Sequence, residues 1–154
     1  MIRILLCLLL GVLTLGCSAE RRDVIRYFEA IIPHEHKLRE AQSRMTQISA
    51  LPFEQRAQAY RSLADESRKM SEEIGKIRPP EAVAGFHQQF LAAWQDFVTF
   101  NQVIGDVVDL KLTPAQRDEA SKKMQTLQAA WPAKMDALRV EEQRLGKAFG
   151  IDFQ

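Results

Sequence analysis

Disulfides, strands and long linkers all lack support in this chain. It carries two cysteines, seven glycines and six prolines among 154 residues. Cys7 lies inside an apolar run at the start, so the rest of the chain holds one thiol, too few for an internal disulfide or a cysteine metal site. No stretch shows β-branched residues alternating with polar ones at period two, which removes the strand signal. No repeat, low-complexity tract or Gly/Ser-rich linker marks a second domain. Net charge is missing too, with 21 basic residues against 20 acidic ones. A neutral domain lacks the basic face that phosphate backbones require, which excludes nucleic acid as the expected partner and argues against electrostatic adhesion to anionic lipid.

What is present begins at residue 1. Arg3 precedes an apolar core over residues 4–15, and small residues follow it. Those three parts define an export signal. The core is well short of the roughly 20 apolar residues a spanning helix needs, so a permanent transmembrane anchor is the weaker reading. The segment ends Leu13-Thr14-Leu15-Gly16-Cys17, which resembles the lipobox of bacterial lipoproteins. Gly16 and Cys17 match that pattern; Thr14 departs from it, because the family usually has Leu there. The resemblance covers the first 17 residues only. It implies removal of residues 1–16, a lipid on the Cys17 thiol, a short tether over 17–19, and a domain over 20–154. Ser18, being other than Asp, implies an outer-membrane destination facing the periplasm. Ordinary cleavage after Ala19, giving a soluble periplasmic or secreted protein, is the alternative. An export signal implies an oxidising compartment, so a domain without disulfides must hold by packing alone.

Beyond the signal, apolar residues recur at spacings of three and four, and prolines punctuate them. The first helix is expected over 20–49, with Val24, Phe28, Ile31, Leu38, Met45 and Ile48 on one stripe and a kink or short break at Pro33. The second spans 53–77, after Leu51-Pro52. Arg78-Pro79-Pro80 ends it. The third spans 80–110 and is the most apolar, so it should be the most buried. His87, Trp94 and Asn101 share its seam, and Gly105 permits close helix contact. Thr113-Pro114-Ala115-Gln116 reads as a capping box with proline at the first helical position. The fourth helix then runs to Phe149, kinked at Pro132, with Gly150 as its cap and Ile151 and Phe153 folding back on the core. The expected fold is all-α: an antiparallel up-down-up-down four-helix bundle with its first and fourth helices proline-kinked. Helices of 30 residues would be about 45 Å long.

In that bundle Pro33 lies 17 positions before Ala50 and Pro132 lies 18 after Pro114, so both kinks fall at one height. Kinks at one level can open an apolar pocket, here lined by Met70, Trp94, Phe97, Trp131 and Met135. The plainer alternative is two helices curving around bulky tryptophans with no cavity. His34-Glu35-His36 and His87 are weak metal candidates. Residues two apart on a regular helix point in different directions, and Leu38 occupies the second histidine position of HExxH. No histidine has an acidic residue three positions before it, which excludes a di-iron bundle, and no CxxCH exists for covalent haem. His34 and His36 are therefore expected to be solvated, and His87 to cap the core edge with one hydrogen-bond partner. No nucleophile–base set or cofactor fingerprint is present, so no catalytic residue and no cofactor is assigned. The expectation is a non-enzymatic, lipid-anchored binding or interaction module of the cell envelope, held to the membrane by its lipid and meeting a protein partner at the distal 51–53 and 111–113 turns. The alternative is a small-molecule or haem carrier or sensor using the pocket near the kinks.

Overall fold

The structure, a computed structural model, describes the backbone of residues 2–152 and the side chains from Ala19 to Asp152. The lipidation expected at Cys17 and the packing expected of Phe153 lie outside those described side chains. Four α-helices account for nearly all of the chain: α1 (Ile2–Ser49), α2 (Phe53–Gly75), α3 (Ala84–Val107) and α4 (Pro114–Phe149). A 3₁₀ turn, Glu81–Val83, precedes α3, and no strand occurs among the described residues. The chain is all-α, as its periodicity predicts.

Local chemistry explains the ends. The α4 start is the expected capping box, in which the Thr113 hydroxyl accepts from the Gln116 backbone N–H and the Gln116 side chain accepts from the Thr113 N–H. Gly150 closes α4 in the left-handed region, at φ 62°, where glycine has no Cβ penalty. The second helix stops two residues early. Lys76 and Ile77 donate to carbonyls three residues back, tightening the last turn, and Arg78 precedes Pro79. The third starts four residues late because Pro80 is extended, with ψ 154°, and the 3₁₀ turn intervenes. Both α1 and α4 continue as helix through Pro33 and Pro132.

The core is centred on α3. Phe86, Phe90, Trp94 and Phe97 are buried along it, against Phe28, Ile31 and Leu38 of α1, Leu63 and Ile74 of α2, and Leu138 and Leu145 of α4. α3 packs closely on α2 and α4, while α1 lies mainly on α2. The α2–α3 approach is tight at Gly105, where an added Cβ would stand 3.2 Å from the Ala57 carbonyl oxygen and 3.2 Å from Arg61 Cγ. Arg61 then reaches across to Asp106 at 2.9 Å and Asp109 at 2.8 Å. Between α1 and α2, Arg44 pairs with Glu66 and the Tyr60 hydroxyl donates to the Met45 carbonyl. Lys134 of α4 pairs with Asp96 of α3. α1 and α4 approach at few backbone positions. At one end Arg21 Nε donates to the Phe149 carbonyl at 2.7 Å; along the rest of this seam lie hollows.

Candidate functional site

Heptad spacing fixes how far along its helix each of the five predicted pocket residues sits, but not which way it faces. Their directions differ, and the structure divides them among three hollows. The largest, about 450 Å³, lies between α1, α3 and α4 and is bordered by Met45, Phe97, Phe100, Leu127, Trp131 and Pro132. The Phe97 and Trp131 rings tilt at 46° with centroids 6.4 Å apart. Further along the same seam a hollow of about 390 Å³ takes in Met135 beside Leu38, Phe90 and Leu138; Gln42 borders both. Met70 and Trp94 line a smaller hollow of about 210 Å³ between α1 and α2. Pro132 therefore borders the largest space, while Pro33 is exposed and borders none of these three.

The rims carry charge. Glu35, Arg39, Asp136, Arg139 and Glu142 surround the Met135 hollow. Burial holds the Glu142 carboxyl above the usual carboxylate range, and nearby Glu35 pushes the same way against Arg39. The large hollow carries fewer charged side chains, with Gln42, Gln128 and Asp96 on its border and Asp96 tied to Lys134.

The histidines separate. His36 is exposed, but His34 is half-buried, contrary to the expectation that both are solvated. It lies on the α2-facing side of α1, where burial first and Lys37 second depress its pKa against the opposing charge of Glu73. An unbroken helix at Pro33 leaves His34 and His36 pointing in different directions. His87, 6% exposed, pairs through Nδ1 with the Tyr27 hydroxyl at 3.1 Å. Among the described residues no group of three His, Cys, Asp or Glu side chains is placed to hold a metal ion.

At the end formed by the α1–α2 and α3–α4 links, Phe53 is 42% exposed and Leu110 65%. The Arg56 guanidinium lies 5.6 Å from the Phe53 ring centroid. Sequence reasoning named Phe53 in the distal turn but took residue 110 only as the end of the third helix, which stops instead at Val107. It also missed Asp109, which is buried and accepts from Arg61, distant in sequence, and from the Lys111 N–H two residues on, the local bond by which Asp favours turns.

Compared with known proteins, the chain matches no family model, no curated protein and no solved structure. Among the described residues, no helix is long and apolar enough to cross a membrane.

Proposed function

We propose that the chain is a lipid-anchored protein of the bacterial cell envelope, held at the outer membrane through Cys17, and that it acts as a non-catalytic binding or interaction module. Its helices form an antiparallel up-down-up-down bundle bowed at Pro33 and Pro132. The contacts that support this arrangement run in opposite senses along each neighbouring pair: Arg44 with Glu66 and Met45 with Tyr60, Ala57 with Gly105 and Gly75 with Leu91, Asp96 with Lys134 and Phe97 with Trp131. The observation that carries the functional reading is the pair of exposed apolar side chains, Phe53 and Leu110, at one end. Gly105 packed on Ala57, and Arg61 bridging to Asp109, bring the two links together there. Two exposed apolar side chains brought together at one end suit a protein surface; Ile32 and Val140 are also exposed, but singly, along α1 and α4. Cys17 lies within α1 only four residues before Arg21, which is bonded to the Phe149 carbonyl at the opposite end, so the Phe53 and Leu110 end is the one directed away from the membrane.

The test is photo-crosslinking in intact cells from position 53 and, as control, from exposed Glu72 on α2. A partner captured from 53 and not from 72, and lost in Leu110→Ser, supports the module. Identical product patterns from both positions remove it.

A second reading is a small-molecule or haem carrier. The hollow of about 450 Å³ beside Phe97, Trp131 and Pro132 favours it, since its volume falls in the range of ligand pockets. Protein purified from its native envelope with a Soret band, or with a small molecule released on denaturation, supports the carrier. Colourless, ligand-free protein whose melting is unmoved by haem removes it.

A further inference from the structure

α1 and α4 approach at few backbone positions, and the space between them has an apolar floor. Leu38, Phe90 and Leu138 are buried beneath the hollow of about 390 Å³, and Met135 completes its apolar lining. Gln42 joins it to the hollow of about 450 Å³ bordered by Trp131. Glu142 and Trp131 mark off ~16 Å of α4 at about 1.5 Å per residue, so the two hollows make one elongated seam. The charges at the Glu142 end do not balance. Of the five on that rim, Arg39 bonds Glu35 at 2.9 Å and Arg139 bonds Asp136 at 3.0 Å. Glu142 is left without an ion-pair partner among the described residues, and Arg39 acts on it only at longer range. It is half-buried, and so is Glu35 across the seam. Burial first, then Glu35, raise the Glu142 pKa, as befits a carboxylate short of compensating charge.

We propose that this seam binds an organic monocation. An ammonium group meets the Glu142 carboxylate, and an elongated apolar body lies along Phe90, Met135 and Leu138 toward Trp131. The proposal rests on the carrier reading and gives its ligand a class. Volume and charge set that class. The hollow at Glu142 is within the size range of small-molecule pockets, which are mostly apolar with a few placed polar groups. One unneutralised acid balances one positive charge, and an ammonium–carboxylate hydrogen bond is of the strong, charge-assisted kind. A fatty acid fits the walls and not the rim: its carboxylate would face Glu35 and Glu142 while both rim guanidiniums are engaged by Glu35 and Asp136.

The experiment titrates phenylbutylamine into the full chain by calorimetry at fixed ionic strength. Two probes with the same body serve as comparison, neutral phenylbutanol and anionic phenylbutyrate. The expected result is saturable binding of the amine that shifts the Met135 methyl resonance. Glu142→Gln weakens it about tenfold or more, as loss of a hydrogen bond to a charged group implies. Glu72→Gln, exposed on α2, leaves it unchanged. Phenylbutanol binds more weakly, and equally to the parent and to Glu142→Gln, which shows that the variant keeps its apolar walls; phenylbutyrate binds no tighter than the alcohol. An amine affinity unmoved by Glu142→Gln, or an alcohol or acid binding as tightly as the amine, would overturn the cation class and leave the carrier reading standing. No saturable binding of any of the three would overturn the proposal outright, while the carrier reading is still decided by what the purified protein brings with it and by haem.

Discussion

The Tyr27 hydroxyl lies 3.1 Å from His87 Nδ1, joining α1 to α3 through two buried rings. Phe28 and Phe86 pack beside them, with Tyr27 edge-on to both. Removing the hydroxyl in Tyr27→Phe keeps the ring but orphans the imidazole nitrogen, so a loss of about 1–3 kcal/mol is expected in urea unfolding. Burial depresses the His87 pKa from 6.5, and burial with Lys37 depresses that of His34. Below pH 6.5 the unfolded chain therefore takes up protons that the folded one refuses. Stability should be full above that value and fall as pH drops through it. At the other extreme, burial raises the Tyr27 pKa above 10.0; the unfolded tyrosine ionises first, so stability should fall again as pH rises past 10. His87→Gln should flatten the acid limb, and an acid limb unchanged in that variant would show that His87 does not contribute to it.

Gly105 and Gly85 sit on the same helix and should respond oppositely to alanine. In a helix interior alanine is favoured over glycine by about 1 kcal/mol, and by less at Gly85, the second residue of α3. At Gly85 an added Cβ meets nothing within 4 Å, so the gain should appear nearly whole. At Gly105 the Cβ meets a backbone carbonyl at 3.2 Å and Arg61 Cγ at 3.2 Å, and a carbonyl inside a helix does not move alone. Prising α2 from α3 costs about 1–3 kcal/mol by analogy with overpacked cores, so Gly105→Ala should be net destabilising. Thermal unfolding of the two variants against the parent decides it: a Gly105→Ala protein as stable as Gly85→Ala would mean the α2–α3 approach is looser than these distances.

The parts of this fold that were legible in the sequence are those governed by local chemistry. The Thr113–Gln116 box and the Gly150 cap need only their own backbone neighbours, and both appear where expected. Gly105 could be read as a close-contact site because a glycine within an apolar helix has few other uses. The direction in which each predicted site residue faces was not legible in the sequence. Spacing sets how far along its helix each of Met70, Trp94, Phe97, Trp131 and Met135 sits, but a residue's azimuth depends on how each helix rotates about its own axis, which packing decides. Hence Trp94 faces the α1–α2 side while Trp131 faces the α1–α4 side. The burial of His34 was hidden for the same reason. The exposure of Leu110 was not legible because α3 ends at Val107, short of residue 110, and the Arg61–Asp109 ion pair beside that end joins residues far apart in sequence.

Asn101, one heptad beyond Trp94, is fully buried at 0% exposure. Its Nδ2 donates to the Phe97 carbonyl at 2.8 Å within its own helix, and its Oδ1 has no partner. A cross-helix register bond, one role open to a seam amide, is not formed. Replacing the side chain by an apolar one of similar size removes the unpaired acceptor, so Asn101→Leu should stabilise the protein by about 1 kcal/mol. Chemical denaturation gives the sign, and amide dispersion in NMR tests whether the amide still enforces a single packing. A destabilised Asn101→Leu with a native-like spectrum would indicate that Oδ1 is satisfied in solution.

The anchor has the most decisive test, because its two alternatives leave different N-termini. If the Leu15-Gly16-Cys17 segment is processed as a lipobox, the mature chain begins at Cys17 and carries acyl mass. If cleavage follows Ala19, it begins at Glu20 with no added mass. One acyl chain gives only marginal, reversible membrane binding, so stable retention requires more than one. Intact mass of protein extracted from membranes should show residue 17 at the N-terminus with multiple acyl groups, and Cys17→Ser should abolish that species and leave the membrane fraction. The structure gives the outcome a geometric consequence. Arg21 is bonded to the Phe149 carbonyl, so the chain is already part of the folded end four residues after Cys17. A lipid there would hold that end within a few residues of the bilayer and set Phe53 and Leu110 at the far end. A Cys17→Ser protein that remains with membranes, or an unacylated chain starting at Glu20, removes both the anchor and this orientation.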